Sequence, residues 1–132
     1  HLLSASPAVI YSFKARDDYA PTFISENIKR LLGYCPEKYL EHADFWRSHV
    51  HPDDLTTVEA QQGQLFEKGR HVTEYRFRKR NGTYIWVSDE QYLRRDEHDQ
   101  PAEIVGSWSN ITARKQAELA ENGPAAAEAG GA

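Results

Sequence analysis

The pattern of apolar residues changes at Gly69, and this change constrains the fold more than any other feature of the sequence. Before Gly69 apolar side chains recur at roughly helical spacing, whereas apolar and polar residues alternate over residues 72–79 and 83–93. Such alternation is typical of a β-strand with one buried face. The two alternating segments flank Asn81-Gly82, a dipeptide typical of tight hairpin turns. The sequence therefore predicts a long antiparallel hairpin in the second half of the chain.

The remaining segments predict short strands and helices around this hairpin. β-Branched and aromatic residues predict strands at residues 9–13, 22–24 and 103–111. Helical turns are expected between the second strand and the hairpin, for example at residues 26–32 and 52–68. This order predicts an α+β fold, a five-stranded antiparallel sheet with short helices packed on one face.

Composition limits the classes of protein to which the chain can belong. It has 132 residues, a formal net charge of −4 and 39% hydrophobic residues, which suits one domain with one core. Its one local basic cluster, at residues 76–80, is short and suits a solvated strand face, so no nucleic-acid surface is predicted. Cys35 is the single cysteine, which excludes an internal disulfide and suits a reducing compartment. No apolar run reaches the roughly 18 residues that a membrane span needs.

Four sequence blocks in order resemble the PAS family of sensor domains. The run Asn110-Ile111-Thr112-Ala113-Arg114-Lys115 is similar to the family's closing signature Asp-Ile-Thr-x-Arg-Lys, with Asn110 in place of the usual Asp. The blocks that precede it are residues 23–34, His51-Pro52-Asp53-Asp54 and residues 75–87, so the resemblance covers about residues 6–116.

The resemblance implies a domain organisation and a function. Residues 1–112 would form the PAS sensor domain, residues 113–120 an outgoing signalling helix, and residues 121–132 a flexible linker or disordered tail. The domain would be a sensory and dimerisation module that passes ligand or partner binding to a C-terminal effector, with a histidine kinase the first choice. The alternatives are a ligand-free structural protein–protein interaction domain and the PAS module of a diguanylate cyclase or phosphodiesterase. The sequence contains no GxSxG, P-loop or GxGxxG motif, so no catalytic residue is predicted.

Alternation along the late strands identifies the residues that are expected to line a ligand cavity. In the middle strand, alternation allows either face to be the buried one, and the resemblance favours the face that carries Ile85 and Val87. In PAS domains the ligand lies between this inner face and the helices. The candidate lining residues are Tyr75, Phe77, Ile85, Val87, Asp89, Gln91, Ile104 and Trp108.

Three of these candidates leave alternatives open. Asp89 and Gln91 would be polar groups on the inner face, and such groups need partners, which are a bound ligand, a backbone donor or water. Trp108 aligns with a position that contacts the ligand in flavin-binding members of the family, but a buried indole can equally fill the core.

The closing signature is expected to couple the sheet to an effector. Asn110, Ile111 and Thr112 join the last strand to the outgoing helix, so strain in the sheet would reach the helix there. The family commonly dimerises through such helices, and the short apolar content here predicts a weak homodimer. The other expected partners are the C-terminal effector domain and a small-molecule ligand, with no nucleic acid and no membrane contact. A cytoplasmic location is expected, in a parent protein that could be membrane-anchored elsewhere.

The resemblance leaves the cofactor open between none, a flavin and another small molecule. Cys35 lies before the helical segment where flavin photosensors of the family carry their adduct-forming cysteine, which argues against that photochemistry. Residues 52–68 contain no histidine, whereas the best-known haem-binding members place their haem ligand in this helix, so haem is less favoured. The histidines show no zinc-binding spacing, and no metal site is predicted.

Overall fold

The computed structural model describes the backbone of residues 8–131 and the side chains of residues 8–121. All five strands form one antiparallel sheet in the order β2-β1-β5-β4-β3, which confirms the predicted fold class. The strands are β1 (Val9–Lys14), β2 (Pro21–Ile24), β3 (Arg70–Arg78), β4 (Tyr84–Arg95) and β5 (Pro101–Asn110). The helices are α1 (Ile28–Leu32), α2 (Pro36–Leu40), α3 (Phe45–His49), α4 (Pro52–Ala60), α5 (Gln62–Lys68) and α6 (Thr112–Gly131).

The predicted hairpin joins β3 to β4 with Asn81-Gly82 at its tip. Gly82 has a φ of 91°, a left-handed conformation that costs glycine little. The Asn81 side-chain oxygen accepts the Thr83 N–H at 3.0 Å, and the Lys79 N–H donates to the Thr83 carbonyl at 2.7 Å. The turn chemistry therefore fixes the register of β3 against β4.

The sheet has one buried face, as alternation predicts. The inner positions of β4, which are Ile85, Val87, Asp89 and Gln91, are buried, whereas Trp86 on the opposite face is partly exposed. The short helices pack on the inner face, where the main apolar cluster contains residues from all five strands and from the first four helices. The register of β4 is therefore the one that buries its apolar residues.

An ion pair fixes the start of α4 to the edge strand β3. Arg76 donates to both carboxylate oxygens of Asp54, each at 2.8 Å, once from Nη2 and once from its backbone N–H. The His51 N–H also donates to the Arg76 carbonyl at 2.9 Å. Burial alone would raise the pKa of Asp54, but the Arg76 hydrogen bonds outweigh it and lower that pKa. Asp54 therefore does more than favour the helix start, which is the only role its position in the sequence indicates.

The outgoing helix α6 is longer than the sequence suggests. The expected boundary at residue 120 is not a break in secondary structure, because the backbone stays helical to Gly131. Alanine and glutamate, which dominate residues 125–129, are strong helix formers and account for the helix beyond Pro124. Residues 1–7 and 132, which belong to the predicted sensor domain and tail, lie outside the described residues. The flexibility of residues 121–132 stays a prediction.

Candidate functional site

A cavity of about 370 Å³ lies between the inner face of the sheet and the helices. Most of its lining is apolar, and it is partly open to solvent. Its walls come from β1, β2, β4 and β5 on one side and from the segment α2–α5 on the other. The lining residues are Tyr11, Phe13, Tyr19, Pro21, Tyr39, His42, Ala43, Phe45, Trp46, Arg47, Glu59, Gln62, Phe66, Gln91, Ile104 and Trp108.

The structure brings only part of the predicted set to this cavity. Gln91, Ile104 and Trp108 line it. The other predicted residues, which are Tyr75, Phe77, Ile85, Val87 and Asp89, are buried in the same core but are not among the lining residues. The ligand-binding role of all eight residues stays a prediction.

The deep wall of the cavity is an array of aromatic rings. Tyr11 stacks on Trp108 with ring centroids 4.5 Å apart, and Tyr39 meets them edge-on, at 66° to Tyr11 and 78° to Trp108. Gly106, beside Trp108 on β5, makes room for this arrangement, because a Cβ there would lie 2.3 Å from the Tyr11 ring. Tyr11 and Tyr39 come from the first half of the chain, and sequence reasoning missed them. Alternation in β1 could have placed Tyr11 on the inner face.

Asp89 lies directly behind this wall and accepts hydrogen bonds from two tyrosines. The Tyr11 hydroxyl donates to Asp89 Oδ1 at 2.6 Å, and the Tyr75 hydroxyl donates to Oδ2 at 2.8 Å. Each tyrosine accepts a second bond, from Gln91 Nε2 to Tyr11 at 2.7 Å and from Trp46 Nε1 to Tyr75 at 2.8 Å. The partners of the two buried polar groups are therefore tyrosine hydroxyls, an alternative that the sequence did not suggest.

The Asp89 carboxylate has no basic partner among the described residues. Burial raises its pKa to about 6, although the Tyr11 and Tyr75 hydrogen bonds act in the opposite direction. The Trp108 N–H lies near enough to favour the charged form, but it is buried without a partner in hydrogen-bond geometry among the described residues. A buried carboxylate without a counter-ion is costly, and such groups are concentrated at functional sites.

We define the mouth of the cavity as His42, Ala43, Arg47 and Glu59. Three of these four residues have polar or charged side chains. Arg47 Nη1 and Glu59 Oε2 lie 2.7 Å apart and link α3 to α4. Both side chains are more than one third exposed, so the ion pair contributes little to stability. Because the two charges neutralise each other, the mouth has almost no net charge of its own.

The predicted junction between β5 and α6 is hydrogen-bonded to the neighbouring strand. The Ile111 N–H donates to the Trp86 carbonyl at 2.9 Å, and the Trp86 N–H donates to Thr112 Oγ1 at 2.9 Å. Asn110 Oδ1 accepts the Thr112 N–H at 3.0 Å. Asn110 therefore supplies the acceptor that the usual Asp would supply, and the helix begins at a fixed point on the sheet.

The first turn of α6 is also held on the outer face of the sheet. Lys115 Nζ lies 2.9 Å from Glu74 Oε1 and 4.9 Å from the centre of the Trp86 ring. Arg114 makes a second ion pair with Glu74, so two cations share one carboxylate. The hydrogen bond from Lys115 is the largest reason why the pKa of Glu74 is lowered. No pattern in the sequence indicated this contact, which joins residues about 40 positions apart.

Other candidate groups lie away from the cavity. Cys35 is exposed and is not among the cavity-lining residues. Within the part of the chain that the structure describes, no three metal-binding side chains converge. Among the same residues, no helix is both long enough and apolar enough to cross a membrane.

The fold and the β5–α6 junction agree with the family and the relatives that the sequence matches. The family model described as PAS fold matches residues 21–108, and the chain belongs to this family. Over 115 residues it is 34% identical to the two-component sensor PprA of Pseudomonas aeruginosa, which covers 84% of this chain and 12% of that protein. It is 30% identical to the methyl sulfide methyltransferase-associated sensor of Methanosarcina acetivorans, over 89% of this chain and 12% of that protein.

A solved structure gives the same result. The sensory box histidine kinase/response regulator of Burkholderia thailandensis superposes with a TM-score of 0.71 at 26% identity, over 89% of this chain and 87% of that chain. The chain spans about an eighth of the length of the curated relatives, which is 12% of each. The domain is thus a sensory PAS module of the kind found in larger signalling proteins.

Proposed function

We propose that this PAS domain senses a small molecule bound in the 370 Å³ cavity and reports it through the direction of α6. The observation that carries the proposal is that β5 belongs both to the cavity wall and to the junction with α6. Ile104 and Trp108 of β5 line the cavity, and the same strand ends at Asn110, two residues before α6 begins at Thr112. A ligand that displaces Trp108 therefore acts on the strand that holds the helix.

The proposed output is a choice between two positions of α6. In one position, Lys115 and Arg114 contact Glu74, and Thr112 accepts the Trp86 N–H. A shift of β5 against β4 would weaken these contacts and release the first turn of the helix. A ligand favours whichever position it binds more tightly, so the response needs only a difference in affinity between the two.

The effector is proposed to be a histidine kinase that follows the domain, with the domain itself non-catalytic. Support comes from the relatives, which are sensors, and from the solved neighbour, which is a sensory box histidine kinase/response regulator. A purely structural interaction domain would be expected to have a filled core. The cavity therefore favours the sensing role over the structural one. A cytoplasmic location stays a prediction.

The ligand is proposed to be a freely exchanging small molecule and not a flavin. The cavity lies at the small end of the range of about 300–1,000 Å³ that is usual for ligand sites. Its one arginine, Arg47, is already paired with Glu59, so the lining offers no unpaired arginine or lysine for a flavin phosphate. Cys35 lies outside the lining and offers no attachment point there.

Binding of 4-tert-butylphenol, a neutral probe that fits the apolar lining, tests the cavity. We expect isothermal titration calorimetry to show saturable binding to the parent domain. Ala43→Trp places an indole at the mouth and should weaken binding by at least about tenfold, which corresponds to about 1.4 kcal/mol. Ala60→Trp, on an exposed α4 position outside the lining, is the matched control and should bind like the parent. Absence of binding to the parent, or equal binding to all three proteins, would contradict the proposal.

We further propose that α6 mediates a weak homodimer. Leu119 is 56% exposed, and a helix with so little apolar surface is stabilised by pairing with a second copy. Sedimentation velocity over a range of concentrations should show a monomer–dimer equilibrium. Deleting residues 113–132 should shift it towards monomer while the far-UV signal of the sheet persists, and Leu119→Glu should act in the same direction. An association constant that is unchanged in both variants would show that the helix is not the dimer contact.

A further inference from the structure

A buried carboxylate, that of Asp89, lies behind the cavity wall. Asp89 is 1% exposed, and no arginine, lysine or histidine among the described residues pairs with it. Two of its neighbours, Tyr11 and Gln91, line the cavity, and Tyr11 bonds to it at 2.6 Å. A negative charge therefore lies one side chain behind the wall, in a region where water cannot screen it well.

The charge is felt at the cavity wall. Burial, and after it the charge of Asp89, raise the pKa of Tyr39, whose ring lines the cavity. The same two causes raise the pKa of Tyr11. A second anion near this wall is therefore disfavoured, and a cation is favoured. The paired charges of Arg47 and Glu59 at the mouth do not offset this preference.

The wall itself suits an organic cation. Eight of the lining residues are aromatic. Tyr39 is the corner of the array, because it stands at 75° to Phe45 and at 78° to Trp108, with centroids 6.0 Å away in each case. Rings that meet at such angles surround a space on several sides, and the faces of aromatic rings attract cations, quaternary ammonium groups in particular.

We infer that the cavity selects small molecules with a bulky organic ammonium group over neutral or anionic molecules of the same shape, an inference that rests on the proposed sensing function. The aromatic rings surround the alkyl groups of the cation, and Asp89 supplies the compensating charge without direct contact. Gln91 Oε1, to which no described residue donates, is the acceptor available to a polar substituent of the ligand. Affinity for the cation thus arises from a charge that the fold keeps buried and unpaired.

Two probes of the same shape test this inference by isothermal titration calorimetry at pH 7, where both phenols are protonated and Asp89 is mostly ionised. They are (4-hydroxyphenyl)trimethylammonium and 4-tert-butylphenol, which differ in a nitrogen for a carbon. We expect the parent domain to bind the cation roughly tenfold more tightly than the neutral probe, as a desolvated cation over aromatic faces implies. If the cavity had no preference for cations, the more hydrophobic neutral probe would bind more tightly.

Two variants separate the role of Asp89 from that of overall charge. Asp89→Asn should remove most of the cation's advantage and leave the affinity for 4-tert-butylphenol within about twofold of the parent. Asp53→Asn changes the net charge equally at an exposed position outside the lining, and it should retain the parent's preference. Equal affinities in the parent, or a preference that persists in Asp89→Asn, would overturn the inference and leave the proposed function intact. If neither probe binds the parent, both fail together.

Discussion

Trp108→Ala is expected to lower the free energy of unfolding by about 3–5 kcal/mol, the range for deleting a large buried aromatic side chain. Trp108 is fully buried and contacts three rings, those of Tyr11, Phe77 and Tyr39, with centroids 4.5, 4.9 and 6.0 Å away. Its N–H has no partner in hydrogen-bond geometry among the described residues, so the expected loss is mainly one of packing. Urea denaturation followed by far-UV circular dichroism measures it.

Trp86→Ala is the matched control for this prediction. Trp86 lies on the outer face of the neighbouring strand, where it is partly exposed and packs under Arg76 and Lys115. Its loss should cost clearly less than that of Trp108. If the two variants unfold at the same urea concentration, Trp108 does not anchor the core in the way its burial indicates.

Asp89→Asn is expected to change how stability depends on pH, with a sign opposite to that of most carboxylates. The fold raises the pKa of Asp89 from 3.8 to about 6, so the protonated form is the one that folding favours. Its stabilising contribution is fully present below about pH 4 and is lost as the pH rises through about 6. At about 1.4 kcal/mol per unit of pKa, the loss amounts to about 3 kcal/mol.

The difference between parent and variant isolates this group. Asp54 and Glu74 have lowered pKa values and stabilise the fold as the pH rises, but they are present in both proteins and cancel. We expect the unfolding free energy of the parent minus that of Asp89→Asn to fall by about 2–3 kcal/mol between pH 4 and pH 7. A difference that stays constant or rises over this range would show that the tyrosine hydrogen bonds outweigh the burial of Asp89.

The sheet could be predicted from the sequence because its signals are local. A few repeats of apolar–polar alternation identify the buried face of a strand, and Asn81-Gly82 identifies the turn between two strands. The burial of Ile104 and Trp108 followed from the same period of two and is confirmed. The junction at residues 110–112 was recognisable through its resemblance to the closing signature of PAS domains, and the structure shows the Asn110 side-chain oxygen accepting the Thr112 N–H there.

Most of the cavity lining, and the contact of α6 with the sheet, could not be predicted because the residues involved are distant in the sequence. Tyr11 meets Asp89 across 78 positions, and Arg114 meets Glu74 across 40. Neither contact follows from a period, since each depends on the order of strands in the sheet and on where the helices lie. For the same reason only Gln91, Ile104 and Trp108 of the predicted residues line the cavity, and the opposite wall was missed.

The most direct test of the account is hydrogen exchange at the junction with the cavity empty and filled. The amides of Ile111 and Lys115 bond to the Trp86 carbonyl and to the Ile111 carbonyl, each at 2.9 Å, so their exchange rates report whether the first turn of α6 stays on the sheet. At a concentration of the tighter-binding probe that nearly saturates the parent, coupling between cavity and helix predicts a change in both rates in the parent and a clearly smaller change in Ala43→Trp. A probe that binds in the cavity and leaves both rates unchanged would contradict the claim that cavity and helix are coupled.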